Sequence, residues 1–284
     1  MPLMKQDRQL APRNCTVAIL SDLHGNADAF AAAIDQLQNL EHCQTLVILG
    51  DLFTYGCQPR QIVDLLFDVA EGYETWLVVG NHDEFYFDCF GYAESATEGR
   101  PDWIVEMIEW TRDQLADSGF ERLNDQKLWH RDLCSGPLFL SHANPFEGRD
   151  WTYLNSDETR RRGAEAVATR GCRIGVFGHT HRRFACCSTD TSEFLSLDDG
   201  QLLGNETDLS RGCWVVNPGS VGQPREQHPT SSFLLLRNDD TRWVANHRRV
   251  DYTPGDHVEA IRNTELSAST RRKLISYLVD SNES

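Results

Sequence analysis

Cys15-Thr16-Val17-Ala18-Ile19-Leu20-Ser21-Asp22-Leu23-His24 is the stretch that decides the fold. A short apolar run ends abruptly in polar side chains, the mark of a strand buried on both faces whose carboxyl end opens into a site. Asn26 follows as a helix N-cap, and Phe30, Ala33, Ile34, Leu37 and Leu40 recur at helical spacing. The pattern then repeats. Thr45 to Leu49 predicts a second strand, ending in Gly50-Asp51. Pro59 opens a second helix with Ile62, Val63, Leu66 and Val69 on one face. Thr75 to Val79 predicts a third strand, ending in Gly80-Asn81-His82-Asp83. Strand, helix, strand, helix, strand at this rhythm is a parallel α/β unit.

Outward from there the pattern changes. Residues of about 84–127 read as a helical insertion: Phe85, Tyr86, Phe87, Phe90 and Tyr92 crowd together, and Trp103, Ile104, Met107, Ile108, Thr111 and Leu115 repeat at helical spacing. Lys127 to Leu133 and Pro137 to Ser141 predict a hairpin across Cys134-Ser135-Gly136. Asp157 to Arg170 predicts a polar helix, and Arg173 to Phe177 a strand ending in Gly178-His179-Thr180-His181. Further strands are expected around Arg183 to Ser188, Glu193 to Leu197, Gly212 to Val216, Phe233 to Leu236 and Trp243 to His247, as in an antiparallel sheet. Arg271 to Asp280 predicts a closing helix. Residues 1–14 are expected to be a flexible tail and residues 15–284 one domain.

The chain has 284 residues, with 27 basic against 43 acidic, a net charge of −16. That balance argues against a long nucleic acid as partner, because phosphate-backbone binding shows as a basic surface. It does not exclude a small phosphorylated substrate if metal ions supply positive charge locally. Apolar stretches such as Trp76 to Val79 and Leu138 to Leu140 are too short to span a bilayer. The polar N-terminus does not read as a signal peptide. Nine cysteines are scattered without a CxxC pair, which suits reduced thiols and a cytoplasmic location. A homo-oligomer is left open.

In a parallel sheet the polar clusters that end successive strands land side by side at the carboxyl edge, where open α/β sheets bind ligands. Asp22, His24, Asp51, Asn81 and His82 would meet there, joined by His142 after Ser141 and by His179 and His181. Carboxylate, imidazole and amide oxygen without thiolate suit two divalent ions such as Mn²⁺, Fe or Zn²⁺ rather than a structural zinc site. One carboxylate must bridge if the ions sit roughly 3.5–4 Å apart. His179 and His181 lie two apart, and a small twist of the loop could aim them at neighbouring ions.

Together, Asp22-x-His24, Gly50-Asp51, Gly80-Asn81-His82-Asp83, His142 and Gly178-His179-Thr180-His181 resemble the calcineurin-like metallophosphoesterases, in that family's order and spacing, from about Cys15 to Arg225. The resemblance implies a four-layer α/β/β/α sandwich of two mixed sheets around a dinuclear metal centre. By that match Asp22, His24 and His181 would hold one ion, Asn81, His142 and His179 the other, and Asp51 would bridge. Manganese is the first expectation, with iron, zinc or nickel as alternatives. His82 would face the phosphate and, if protonated, help the leaving group. Ala143 stands where the family more often has glycine. The loop Tyr55-Gly56-Cys57-Gln58-Pro59 and the turn from Asn217 to Arg225 are similar to those of small prokaryotic phosphodiesterases. Val79 replaces the arginine of the protein serine/threonine phosphatases, which sets that branch aside.

The expected activity is hydrolysis of phosphate esters, diesters first, by a hydroxide bridging the two ions. Phosphomonoesters and dinucleoside polyphosphates are the alternatives. A non-catalytic protein-interaction module is the weaker rival, since no ligand is missing. Arg225 has two readings, a contact to substrate phosphate or part of a tight turn under the site, and the turn is preferred. Asp83 is expected to cap backbone amides. The aromatics from Phe85 to Tyr92 are read as core before a base-stacking platform. His130, His228, His247 and His257 are expected to be solvated, and Arg160, Arg161 and Arg162 to form a wet helix face.

Overall fold

The structure is a computed structural model and describes residues 15–40, 42–87, 97–124, 128–148, 150–188, 194–226, 228–239 and 242–279. The tail expected over 1–14, and Phe90 and Tyr92 of the aromatic cluster, lie outside the described residues. Two mixed sheets stack face to face. The first contains β1 (Cys15–Leu20), β2 (Cys43–Ile48), β3 (Glu74–Val78), β4 (Trp129–His130), β10 (Glu206–Asp208), β12 (Ser232–Asn238) and β13 (Trp243–Arg249), in the order β10-β13-β12-β1-β2-β3-β4. The second contains β5 (Asp132–Ser135), β6 (Leu138–Ser141), β7 (Ile174–Phe177), β8 (Phe184–Ser188), β9 (Phe194–Leu197) and β11 (Cys213–Asn217), in the order β5-β6-β7-β11-β8-β9.

Alternation along the strands explains the layers. Val17, Ile19, Val47 and Val78 face Leu138, Leu140, Val176 and Val216 in the core between the sheets. Ala18, Leu20, Leu46 and Ile48 point the other way, onto Phe30 and Ile34 of α1 (Ala27–Gln38) and Ile62 and Val63 of α2 (Pro59–Gly72). A parallel strand covered on both faces must be apolar throughout, which is why these runs show no polar alternation. On the far side, α4 (Asp157–Thr169) lays Ala164 and Val167 on Phe139, Phe177 and Val215 of the second sheet. The result is the expected α/β/β/α sandwich.

Several sequence expectations are corrected. The strand expected over Lys127 to Leu133 is two strands in different sheets. Trp129 pairs beside Leu77 and packs in the first helical layer, donating its ring N–H to Leu123 O at 2.6 Å, whereas Leu133 faces the inter-sheet core. The chain changes sheet at Arg131. The late strands do not form one antiparallel sheet: β8, β9 and β11 extend the second sheet, with β11 parallel to β7, while β12 and β13 extend the first. The closing helix is α7 (Ala268–Ile275), preceded by the unanticipated α6 (Gly255–Arg262) and by the short α5 (Asp199–Leu202). Within the insertion, α3 (Asp102–Leu115) buries Ile104, Met107, Ile108 and Leu115, and Phe85, Tyr86 and Phe87 are core. His247 and His257 are buried, not solvated: His247 bonds to Asn217 O and His257 to Gln58 Oε1. Arg160, Arg161 and Arg162 lie over the rings of Phe184, Phe194 and Phe146, so aromatic faces, not water alone, set their positions. Among the described residues no helix is long and apolar enough to cross a membrane.

Candidate metal centre

The carboxyl ends of β1, β2, β3, β6 and β7 converge on one edge of the sandwich, and their loops are bonded to one another through the backbone. His24 N–H donates to Asp51 O at 2.9 Å, Asp22 N–H to Gly50 O at 3.1 Å, and Gly178 N–H to His142 O at 2.7 Å. The turn after β11 lies beneath: Ser220 Oγ donates to Asp22 O at 2.9 Å and Asn217 Nδ2 to Gly178 O at 2.6 Å. Asp83 caps the site from below, as its position suggested. Its carboxylate accepts the amides of Gly80, Asp51 and Leu52, each at 2.8 Å.

Backbone strain is concentrated here. Asp22, His24, Asp51, Thr54, Tyr55, His179 and His181 all adopt positive φ, between 46° and 71°. Left-handed conformations of non-glycine residues cost about 1 kcal/mol or more each and persist where surrounding contacts over-determine them. At His179 (φ 66°) and His181 (φ 57°) this is the twist that directs two nearby imidazoles to different groups.

Two adjoining clusters result, one of Asp22, His24, Asp51 and His181, the other of Asp51, His142 and His179, with the candidate donor atoms of each within 4.8 Å of one another. Asp51 belongs to both. Its Oδ2 lies 3.7 Å from His24 Nε2 and 3.3 Å from His142 Nε2. Asp22 Oδ1 lies 3.2 Å from His181 Nε2. Asn81 joins the second cluster, with Oδ1 3.2 Å from His142 Nε2. All seven residues expected from the sequence are therefore brought together. Asp22, His24, Asp51, His142, His179 and His181 are each at most 4 % exposed.

The donor chemistry fits divalent cations. His24, His142 and His181 each give the Nδ1 hydrogen to a main-chain carbonyl, of Phe53, Leu49 and Gln223 respectively. His179 instead bonds Trp151 O through Nε2 at 3.0 Å. Such bonds fix the tautomer and leave the other nitrogen's lone pair for a metal. Where both rings are neutral, the inward atoms are acceptors facing acceptors: His24 Nε2 is 3.1 Å from His181 Nε2. Charge agrees. Burial opposes ionisation of Asp51 and Asp22, yet the histidines at His142 and His181 hold both carboxyls well below the usual range. Burial likewise opposes the His142 imidazolium, but Asp51 pushes it up to about 10, so the cluster takes up positive charge even as a proton. Burial lowers His24 and brings His179 down to about 3.

His82 sits at the rim of the first cluster, its ring centroid 5.3 Å from that of His24. Its backbone amide donates to Asp51 Oδ1 at 2.8 Å and its Nε2 lies 3.2 Å from Tyr55 Oη. Burial, with only partial compensation from Asp51, lowers it to about 4. That favours the neutral ring near pH 7, whereas the sequence made its help to the leaving group conditional on protonation. Tyr55 was noted in the sequence only as part of a loop, and the hydroxyl that meets His82 across 27 residues left no local signal. Tyr153 was not anticipated either. It is 43 % exposed and stacks on His179 with centroids 4.2 Å apart. Arg225 is half-buried over the Tyr55 and Tyr277 rings, with centroid distances of 5.8 and 5.6 Å. It is thus both part of the turn and at the edge of the cluster.

Residues 16–241 match the calcineurin-like phosphoesterase superfamily domain, and the chain belongs to that family of dinuclear metal-dependent enzymes. It is a metal-dependent phosphoester hydrolase. An uncharacterized protein of Methanocaldococcus jannaschii is 28% identical over 228 residues, covering 79% of this chain and 83% of that one. A metallophosphoesterase from Sphaerobacter thermophilus has a similar structure, with TM-score 0.69 and 25% identity over 92% of this chain and 99% of that one. A hypothetical protein from Pyrococcus horikoshii shares the fold at TM-score 0.69 and 18% identity, over 92% of this chain and 97% of the other.

Proposed function

We propose that the protein hydrolyses phosphodiesters of small molecules, with Asp22, His24 and His181 holding one divalent ion, Asn81, His142 and His179 a second, and Asp51 between them. The observation that carries this is the shared position of Asp51, the one carboxylate that belongs to both clusters. Two divalent ions held there would acidify a coordinated water to give a nucleophile near neutral pH and would offset charge on the phosphoryl oxygens. Manganese is the proposed pair, since nitrogen and oxygen donors without thiolate suit it, while iron, zinc and nickel share that preference in part. The nine cysteines, scattered without a disulfide spacing, support a cytoplasmic location.

The chain's own groups act on orientation and on the departing oxygen. Burial holds the Tyr55 phenol well above its usual range, so it keeps its hydrogen and donates to His82 Nε2. The His82 hydrogen then sits on Nδ1, which is buried and has no hydrogen-bond partner among the described residues. That N–H would donate a hydrogen bond to the leaving-group oxygen and stabilise the charge that grows on it, help that matters most for the poor leaving group of an alkyl diester. Arg225, with its guanidinium bonded to Gln223 Oε1 at 2.7 and 3.2 Å, supports the substrate on the same side.

Parallel assays of a phosphodiester, a phosphomonoester and a dinucleoside polyphosphate with Mn²⁺ test the assignment. The diester is expected to give the highest kcat/KM. A higher value on either alternative replaces the diester reading, and no turnover on any of the three removes the catalytic one.

A further inference from the structure

The family match ends at residue 241, yet the chain beyond it returns to the metal cluster. The start of α7 is fastened to α3: the Glu106 carboxylate accepts hydrogen bonds from Ser267 N–H at 2.5 Å, from Ser267 Oγ at 2.8 Å and from Thr270 Oγ1. Leu274 and Leu278 pack with Met107, Val258 and Ile261 in a core of their own. These contacts fix the rotation of α7 and so decide which side chains it presents to the site.

It presents Lys273, and the turn that follows it presents Tyr277. The Tyr277 ring is 5.7 Å from that of Tyr55, which in turn is 4.7 Å from His24 and bonded to His82. Lys273 Nζ lies 4.7 Å from the Tyr277 centroid and 5.9 Å from that of Trp103. Arg225 approaches the same Tyr277 ring at 5.6 Å. Two aromatic rings therefore stand between Lys273 and His24, too far for the lysine to serve a phosphoryl group seated on the cluster. Among the described residues neither Arg225 nor Lys273 forms an ion pair with a carboxylate, in a chain with 43 acidic against 27 basic residues. Two cations without anionic partners, held by rigid aromatic faces at the edge of a phosphate-handling site, make a place for an anion.

We propose that Arg225 and Lys273, sharing the Tyr277 ring, form a subsite for a second phosphoryl group of the substrate, carried on the leaving-group side of the ester that is cleaved. This rests on the phosphoesterase reading above, with His82 on the leaving-group side. The preferred substrate is then an organic phosphate that bears two phosphoryl groups separated by an organic spacer.

The test uses the Mn²⁺-loaded enzyme and two methyl aryl phosphodiesters with the same phenolic leaving oxygen, methyl 4-ethylphenyl phosphate and methyl 4-(2-phosphonoethyl)phenyl phosphate, read as release of the phenol. The phosphonate cannot be hydrolysed, so only one bond is read. Wild type is expected to take the phosphonate-bearing ester with a KM about tenfold lower, the effect of one charge-assisted contact. Lys273→Glu should abolish that preference and Lys273→Arg retain it. Lys273 is exposed, so these variants keep the fold. Equal KM values in wild type, or a preference unchanged in Lys273→Glu, overturn the subsite while the phosphoesterase reading stands. Hydrolysis of neither ester would instead remove that reading and the subsite with it.

Discussion

His24 and His181 turn their Nε2 atoms toward each other at 3.1 Å although each ring gives its hydrogen to a carbonyl on the other side, Phe53 O at 3.1 Å and Gln223 O at 2.6 Å. Where both rings are neutral, lone pair faces lone pair, an arrangement that a cation resolves. Mn²⁺ should therefore stabilise the fold. At a hundredfold excess over Kd the gain is about 2.7 kcal/mol, roughly 5–10 °C in Tm for a chain of this size. Elemental analysis of the loaded protein should give two ions per chain, falling toward one in His24→Ala and in His142→Ala. A Tm indifferent to Mn²⁺ would contradict the assignment.

Asp83 is the keystone of three loops, since the amides of Gly80, Asp51 and Leu52 all end on its carboxylate. Asp83→Ala leaves three buried donors without a partner, at about 1–3 kcal/mol for each that water does not reach. Stability to urea should fall by roughly 3 kcal/mol or more, and Mn²⁺ affinity should fall with it, because Asp51 and Asn81 sit on the loops that Asp83 joins. Asp83→Asn keeps one acceptor oxygen and should lie between the two in a denaturation series.

The parallel strands and the seven donors were legible because each buried apolar run stops at a polar group, as Leu20 does before Ser21-Asp22. What was not legible depends on partners far along the chain. His247 meets Asn217 O across 30 residues and His257 meets Gln58 across 199, and nothing near either histidine marks it as buried. The start of α7 is set by Ser267 bonding to Glu106, 161 residues away. The sequence placed that helix at Arg271 because Leu274, Ile275 and Leu278 are the first clear apolar group there. The change of sheet between Trp129 and Leu133 was hidden for another reason. Both are buried apolar residues, and only their opposite cores distinguish them.

His257 gives the fold an acid-sensitive point away from the metal cluster. Burial, only partly offset by Asp28, lowers it to about 4, against about 6.5 in the unfolded chain. Between these values the unfolded state binds more protons, so stability rises with pH across this window and is lost as pH falls from about 6.5 toward 4. The full effect is roughly 3 kcal/mol. Urea titrations at pH 7 and pH 5 should show a smaller pH-dependent loss in His257→Gln than in wild type. Equal losses would show that the ring is not held neutral.

Gly80 lies where the third strand's loop passes over the bridging carboxylate. A methyl group there would overlap Asp51 Oδ1 and press on Asp51 N at 2.5 Å. Neither can yield, because that amide is held by Asp83 and Oδ1 accepts the His82 amide. Gly80→Ala should therefore remove tight binding at both ions while leaving the far-ultraviolet dichroism of the sandwich in place. Gly72→Ala, at a glycine with no neighbour within 4 Å of its added carbon, is the matched control and should bind normally.

His82 and Tyr55 form the last testable pair, joined at 3.2 Å. With His82 lowered to about 4, its neutral form is constant from about pH 5.5 upward, and nearby cations would lower it further. A rate that depended on its imidazolium would decline as pH rises through neutrality. A rate that depends on a neutral N–H would not. Wild type and Tyr55→Phe should therefore show no such alkaline decline, and their ratio should stay flat from pH 6 to 8. The substitutions should separate by leaving group. His82→Ala should retain its metal content and lose about 10²–10³-fold on an alkyl diester, the cost of removing one hydrogen-bond donor to developing charge, but far less on a p-nitrophenyl ester, whose oxygen leaves unaided. Tyr55→Phe should follow the same selectivity with a smaller loss, since it removes the hydrogen that keeps Nε2 occupied and lets the His82 tautomer drift. Equal losses on both esters would place His82 in binding rather than in stabilising the leaving oxygen.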